Sequence, residues 1–227
     1  MSYNSLLLFL AIMVATSCMR SVNISKASNF KEIIFVRHAE PSWNYSMIWQ
    51  GRKDPHLTKN GLKQANLVGK QLKELCKNKN CLIFTSNTNR AKQTAEVIAE
   101  TIGLKKSKLK IVEAIHERIF RDYRNPPFNI TKEINQKFLS GQDAYSYLNK
   151  IELENKSMLV NADADYETDE EFANRIKTSF NKLFLEIPPN STPIIITHKY
   201  VFKAISKDVF NEEVSLNHAE FKLYSFN

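Results

Sequence analysis

The chain has 227 residues, 43% of them hydrophobic and 25% charged, with a net charge of +8. That composition suits a globular protein with a buried core and excludes a disordered or collagen-like chain. The positive excess points to an anionic partner, but no Lys/Arg-rich run with interleaved aromatics is present, so no nucleic-acid partner is expected.

Residues 5–18, SLLLFLAIMVATSC, are apolar and uncharged. The continuous core, Leu6 to Ala15, falls short of the roughly 20 residues that span a bilayer and has the length of a signal-peptide h-region. The sequence ATSC then allows either cleavage near Ser17 or lipidation of Cys18. The flanks run the other way, since Arg20 and Lys26 follow the run and no Lys or Arg precedes it. An N-terminal anchor or an additional helix is therefore the alternative. Residues 1–18 are read as a leader or anchor and 30–227 as one folded domain. Export (periplasmic, secreted or surface-anchored) is the expectation, a cytoplasmic protein the alternative, and any membrane contact runs through the N-terminus.

Past the leader, EIIFV (32–36) reads as a buried strand. Residues 57–76 read as a helix capped by Thr58, with Leu62, Ala65, Leu72 and Leu75 on its apolar face. CLIFTS (81–86) is a second strand. Residues 88–103 form a helix with Ala91, Ala95, Ile98 and Ile102 on one side and Gly103 as its stop. LKIVEAI (109–115) is a short strand. Residues 119–165, with Pro126-Pro127 and Gly141, are irregular, with weak helical patches over 131–151. Residues 167–187 form a long amphipathic helix with an acidic start that suits its dipole. PIIIT (193–197) is another buried strand, followed by a helix over 199–210, and EFKLYSF (220–226) is an edge-like strand. Cys76 and Cys81 bracket KNKN and are either a small-loop disulfide or two free thiols. No metal-ligand spacing of Cys or His occurs, and no cofactor or metal is expected.

Strand–helix alternation with continuous apolar strands predicts an α/β three-layer sandwich. Its central sheet is mostly parallel, with helices on both faces, and residues 119–165 are a lid over the carboxyl-end crevice. In such sheets the ligand sits beyond the carboxyl ends of the strands. The residues there are Arg37 and His38 after the first strand, Arg90 in the first turn after the second, Glu117 after the third and His198 after IIIT. Each alone has a plain structural reading. Together they suit a phosphoryl group. Arginine forks bind phosphate oxygens in pairs. Flanking arginines keep a nucleophilic imidazole neutral. A backbone carbonyl accepting from Nδ1–H of His38 would leave Nε2 free to attack. A carboxylic acid can protonate the leaving oxygen. The guanidinium and imidazole groups supply the positive charge, so no metal is needed.

At this point the resemblance becomes specific. Arg37-His38-Ala39-Glu40 followed by Trp43-Asn44 resembles the signature of the histidine phosphatase superfamily, in its phosphoglycerate-mutase-like branch. QGRKDPHLTKNGLKQA (50–65), TSNTNRAKQTAEVIA (85–99), IHER (115–118), ETDEEFANRI (167–176) and IIITH (194–198) resemble further family segments in the family's order. The resemblance implies a metal-independent phosphatase with His38 as phosphoryl acceptor. It further implies a phosphate pocket of Arg37, Arg90 and His198, and Glu117 as acid/base. Asn44, Gln50 and Gly51 would be pocket residues. Arg118 and Lys199 are read as substrate contacts from their places in the chain, the alternative for Lys199 being that it points away from the site as the first residue of its helix. The partner would be a small phosphorylated substrate, a phosphopeptide included.

Three departures stand out. Ala39 replaces the usual glycine and requires negative φ and room for a methyl. Lys199-Tyr200 follows His198 where glycine is usual. RIFRDYRNPPF replaces the stretch that follows the acid in many family phosphatases, so Glu113 and Asp122 are lesser candidates for the acid. Arg118, Arg121 and Arg124 fall at i, i+3 and i+6, with Phe120, Tyr123 and Phe128 among them, so this stretch is either a lid that reads a second anionic group or an aromatic moiety, or a solvated basic segment. Phe120 replaces the tyrosine of the mutase acid motif, so hydrolysis is favoured over phosphoryl transfer. A non-catalytic phosphate-binding module is a further alternative.

Overall fold

The computed structural model describes residues 30–42, 54–119 and 167–226. The strands are β1 (Glu32–Arg37), β2 (Asn80–Thr85), β3 (Leu109–Ile111), β4 (Ser191–Thr197) and β5 (Phe221–Ser225). The helices are α1 (Lys59–Leu75), α2 (Asn89–Ile102), α3 (Asp169–Glu186) and α4 (Lys199–Phe210). The sheet order is β3-β2-β4-β1-β5, all parallel except for β5, which is antiparallel to β1.

This order follows from two chain movements. From β1 through β2 to β3 the chain moves outward, and it then returns to insert β4 between β2 and β1. Crossovers of constant hand place the helices of the two movements on opposite faces. Val68 and Leu72 of α1 and Ala91, Ala95 and Ile98 of α2 pack on Ile34, Val36, Ile83, Ile194 and Ile196. Phe172, Ile176, Phe180 and Phe184 of α3 and Val201, Phe202 and Ile205 of α4 pack on Ile33, Phe35, Phe84 and Ile195. Alternate residues of each strand thus feed two cores, which is why β1 and β4 read as unbroken apolar runs. The ring of Phe35 lies 5.5 Å from Phe202 and 6.0 Å from Phe180 between centroids. Truncating such a buried phenylalanine to alanine costs about 3–5 kcal/mol. The expected three-layer architecture is present, and of the 119–165 segment only Ile119 lies within the described residues.

Local signals explain the ends. Thr58 caps α1 by accepting from the Gly61 N–H, and Thr168 forms a reciprocal capping box with Glu171 at the start of α3. Gly103 ends α2 at φ +83°. Two sequence expectations need correction. Ala65 and Leu72 are buried as expected, but Leu62 is 42% exposed, and Gly61, Val68 and Gly69 complete the buried face of α1. The packed stripe is displaced because the start of α1 presses against the backbone of Glu40, an approach that only glycine permits. The third strand stops at Ile111, and Glu113–Ile115 is a 3₁₀ turn that swings the chain off the sheet edge. Cys76 and Cys81 form a disulfide, Cα–Cα 6.0 Å, joining the end of α1 to β2.

A Cβ at Gly61 would lie 2.2 Å from the carbonyl oxygen of Glu40. Gly61→Ala is therefore expected to lower stability by about 1–3 kcal/mol, measured by denaturant unfolding, because the loop after β1 must move.

Candidate active site

The register of the sheet creates the site. Arg37 pairs with Thr197 across the parallel β1–β4 ladder, so the next residues, His38 and His198, emerge side by side at the carboxyl ends. Their ring centroids are 5.1 Å apart. Both rings are buried. His38 donates from Nδ1 to the carbonyl of Ala39 at 2.8 Å, which fixes the tautomer and leaves a lone pair on Nε2. Arg90 donates from Nε to that Nε2 at 3.3 Å and approaches His198 Nδ1 with Nη2 at 3.5 Å. Nε2 of His198 is 2.9 Å from Ser86 Oγ. The cationic side chain of Arg90, only 4% exposed, thus lies between the two imidazoles.

Ala39 meets both requirements set by replacing glycine. It is fully buried and absent from the residues with positive φ. Its N–H donates to Thr94 Oγ1 at 3.0 Å, and Thr94 donates to the Arg90 carbonyl at 2.7 Å. One hydroxyl therefore ties the loop carrying His38 to the first turn of α2. Asp54 accepts from the Asn89 N–H at 2.6 Å and lies 3.7 Å from Arg90 Nη1.

Arg37 sits on the other side of His38. It donates from Nη1 to the Leu216 carbonyl at 3.0 Å, and its Nη2 lies 2.8 Å from His218 Nε2. Its Nε is buried without a hydrogen-bond partner among the described residues. A buried guanidinium N–H left in this way suits an anion that can accept from it.

Glu117 is the carboxylate of this constellation. Burial raises its pKa above 4.5, opposed by the Arg118 N–H, by Arg90 and Arg37, and by the Tyr200 N–H. Glu113 is exposed, with Asn87 Nδ2 3.5 Å from its carboxylate. Glu117 therefore fits the acid position better than Glu113, while Asp122 lies outside the described residues. The segment bearing Glu117 is strapped to the start of α3. Arg175 pairs with Glu167 and donates to the carbonyls of Ala114 (2.7 Å) and His116 (3.2 Å), and Glu167 accepts from the Ile119 N–H at 3.1 Å.

The remaining expected residues divide. Arg118, read as a substrate contact, is turned to α3 instead. It pairs with Asp169, donates to the Glu167 carbonyl at 3.0 Å and lies over the Phe172 ring. These contacts tie Arg118 to the start of α3. Lys199 is the first residue of α4, with Nζ 5.5 Å from the Tyr200 ring centroid. Asn44, Gln50 and Gly51 lie outside the described residues.

The electrostatics follow from burial and crowding of like charge. Burial, then Arg90, His198, Arg37 and His218, hold His38 well below 6.5. Burial, then Arg90 and His116, do the same for His198. Among the described residues no group of three or more His, Cys, Asp or Glu is arranged to hold a metal ion.

His218 is the residue that sequence reading missed. It precedes β5, and because β5 runs antiparallel to β1 its amino end lies at the carboxyl ends of the parallel strands. The short run EFKLYSF carries no sign of its direction, so a histidine just before it had no assigned place. Arg175 and Thr94 were missed because they act through backbone groups.

The chain belongs to the histidine phosphatase superfamily, branch 1, whose sequence profile matches residues 33–223. It is 34% identical over 90 residues to a phosphoglycerate mutase of Schizosaccharomyces pombe, an alignment covering 40% of this chain and 42% of that protein. The fold is similar to the crystal structure of a Bacillus anthracis phosphoglycerate mutase, with TM-score 0.65 and 20% identity over 88% of this chain and 90% of that one. It is also similar to a mycobacterial glucosyl-3-phosphoglycerate phosphatase solved with VO3, with TM-score 0.58 and 16% identity over 85% and 90% of the two chains. Phosphatases and mutases thus both stand among its neighbours.

The buried neutral histidines give a signed prediction. Their folded pKa values lie below the ordinary 6.5, so the unfolded chain binds protons that the folded chain refuses. Stability present above that value is lost as pH falls toward the folded pKa values. Glu117, shifted up, acts in the opposite sense above 4.5. Chemical denaturation between roughly pH 7 and 5, around the ordinary histidine value, should show falling stability, with a shallower slope in His198→Asn. An unchanged slope in that variant would contradict the assigned neutral state.

Proposed function

We propose that the protein is a metal-independent phosphomonoesterase that works through a phosphohistidine on His38. The observation that carries this reading is the state of His38. Its Nδ1–H is committed to the Ala39 carbonyl, and its Nε2 lone pair faces Arg90 beside His198. An imidazole held in this way is a nucleophile, not a structural donor.

In the first step the Arg90 Nε–H turns from Nε2 to a phosphoryl oxygen, the freed Nε2 lone pair attacks phosphorus, and the bond to the ester oxygen breaks. That oxygen takes the proton of Glu117, whose raised pKa favours the acid form. The products are a free alcohol and a phosphorus–nitrogen bond on His38. Arg37, Arg90 and His198 face the equatorial oxygens as charge spreads over them. In the second step water attacks phosphorus and yields a proton to the Glu117 carboxylate. The phosphorus–nitrogen bond breaks, its electron pair returns to Nε2, and inorganic phosphate leaves. The guanidinium groups meet the charge demand that a metal would otherwise serve.

Hydrolysis is favoured over mutase-type transfer by Phe120 in place of the tyrosine of the mutase acid motif. We further propose that the protein works in an oxidising compartment outside the cytoplasm, reached through the apolar segment 5–18. The Cys76–Cys81 disulfide supports this. Mass measurement of the native chain decides it.

Turnover of p-nitrophenyl phosphate in EDTA should be abolished in His38→Ala; turnover that survives would refute the mechanism. Glu117→Gln should lose about 10²–10⁴-fold in kcat/KM on alkyl phosphates and much less on p-nitrophenyl phosphate, whose leaving group needs little protonation. Equal losses on both substrates would remove Glu117 from the acid role.

A further inference from the structure

We propose that His218 is a positioning residue for Arg37, its neutral ring acting as a fixed acceptor that leaves the Nε edge of the guanidinium to the phosphoryl group. The inference rests on the phosphate-site reading above and goes beyond it in assigning a third histidine.

The geometry is specific. Arginine has only donors, so at 2.8 Å Arg37 Nη2 must donate to His218 Nε2, which places the ring proton on Nδ1. Nη1 donates to the Leu216 carbonyl, two residues before His218 in the same loop. The 216–218 segment therefore grips the terminal nitrogens of Arg37, while the buried Nε has no partner among the described residues. A guanidinium held by its Nη groups presents its Nε side to an anion in a fixed direction, and less freedom is then lost on binding. The ring of His218 is 5.3 Å from that of His38, so the anion addressed is the one at the nucleophile.

The loop is built for this placement. The Glu220 N–H donates to the Asn217 carbonyl at 3.1 Å, closing a turn with His218 and Ala219 at its centre. Ala219 has φ +54°, a left-handed conformation that costs a residue with a Cβ roughly 1–2 kcal/mol. Its N–H lies 3.2 Å from the Arg37 carbonyl and 3.3 Å from that of His38, and the Arg37 N–H donates to the Glu220 carbonyl at 3.0 Å. These bonds hold the strained turn against the end of β1, with the strain kept where His218 meets Arg37.

The ring must stay neutral, because an imidazolium has no lone pair to offer. Among the described residues the charged and titratable groups around it are Arg37, Arg90, Lys199, His38 and Glu40. Burial and then Arg37 lower its pKa to about 4, and Glu40 opposes this. The acceptor therefore persists throughout the neutral range.

The test uses the full chain and calorimetric titration with inorganic phosphate and with orthovanadate near neutral pH. Losing an acceptor that orients a charged donor should weaken binding in His218→Ala by about 10–100-fold. Glutamine can place Oε1 near the position of Nε2, so His218→Gln should restore affinity to within about threefold. His218→Asn, too short to reach, should not. With p-nitrophenyl phosphate the Ala and Asn variants should show a larger change in KM than in kcat. Unchanged affinity in the Ala variant overturns the proposal. So does equal loss in all three variants with melting temperatures unchanged. If phosphate binding follows the expected pattern but no phosphate ester is turned over, His218 keeps its role and the phosphatase reading is the one that fails.

Discussion

Arg90 Nε lies 3.3 Å from Nε2 of His38, and Nη2 of the same side chain lies 3.5 Å from His198. Burial, and after it the permanent charge of Arg90, drive both imidazoles to the neutral form. In the proposed mechanism this contact sets the chemistry, since a protonated His38 could not attack phosphorus. It also sets a structural cost. Arg37 and Arg90 are largely buried near one another, and burial lowers the pKa of each, with Glu117 the main opposing charge on both. An anion between the arginines would relieve the repulsion, which is why the cluster reads as a binding site and not as a packing accident.

Placing such a cluster requires rigid supports, and each comes from a different part of the chain. The β1–β4 register puts the two histidines level. Thr94 links the His38 loop to the first turn of α2. The Glu167–Arg175 pair, with the Arg175 bonds to the Ala114 and His116 carbonyls, holds the segment carrying Glu117 against α3. The two cores fix the sheet from both faces with large side chains, among them Phe35, Phe180 and Phe202 on one face and Ile83, Ile98 and Ile194 on the other.

Much of this was legible before the structure. Short apolar runs of β-branched and aromatic residues, alternating with helical patterns, read as strands covered on both faces, so β1, β2 and β4 and the arginines and histidines at their ends stood out. Thr58 marked the start of α1, and an acidic first turn marked that of α3. Legibility failed where tertiary contact decides the outcome. The buried face of α1 includes Gly61 and Gly69 because backbone and side-chain neighbours come too close for a methyl, and hydropathy does not register that. Arg118 matched a motif, but the acidic first turn of α3 draws its guanidinium away. His218 was hidden because the direction of an edge strand is a property of the whole sheet. Cys76 and Cys81 gave equal support to a bridge and to free thiols until the ends of α1 and β2 were seen to meet.

The central claim is that Nε2 of His38 itself takes the phosphoryl group. Rapid acid-free quenching of the enzyme during turnover of a ³²P-labelled substrate, followed by peptide mapping under alkaline conditions, tests it directly. The account predicts a base-stable, acid-labile label on the peptide containing His38, formed and lost at rates compatible with turnover. Label on another residue, or turnover through a single cycle with no labelled protein, would contradict it.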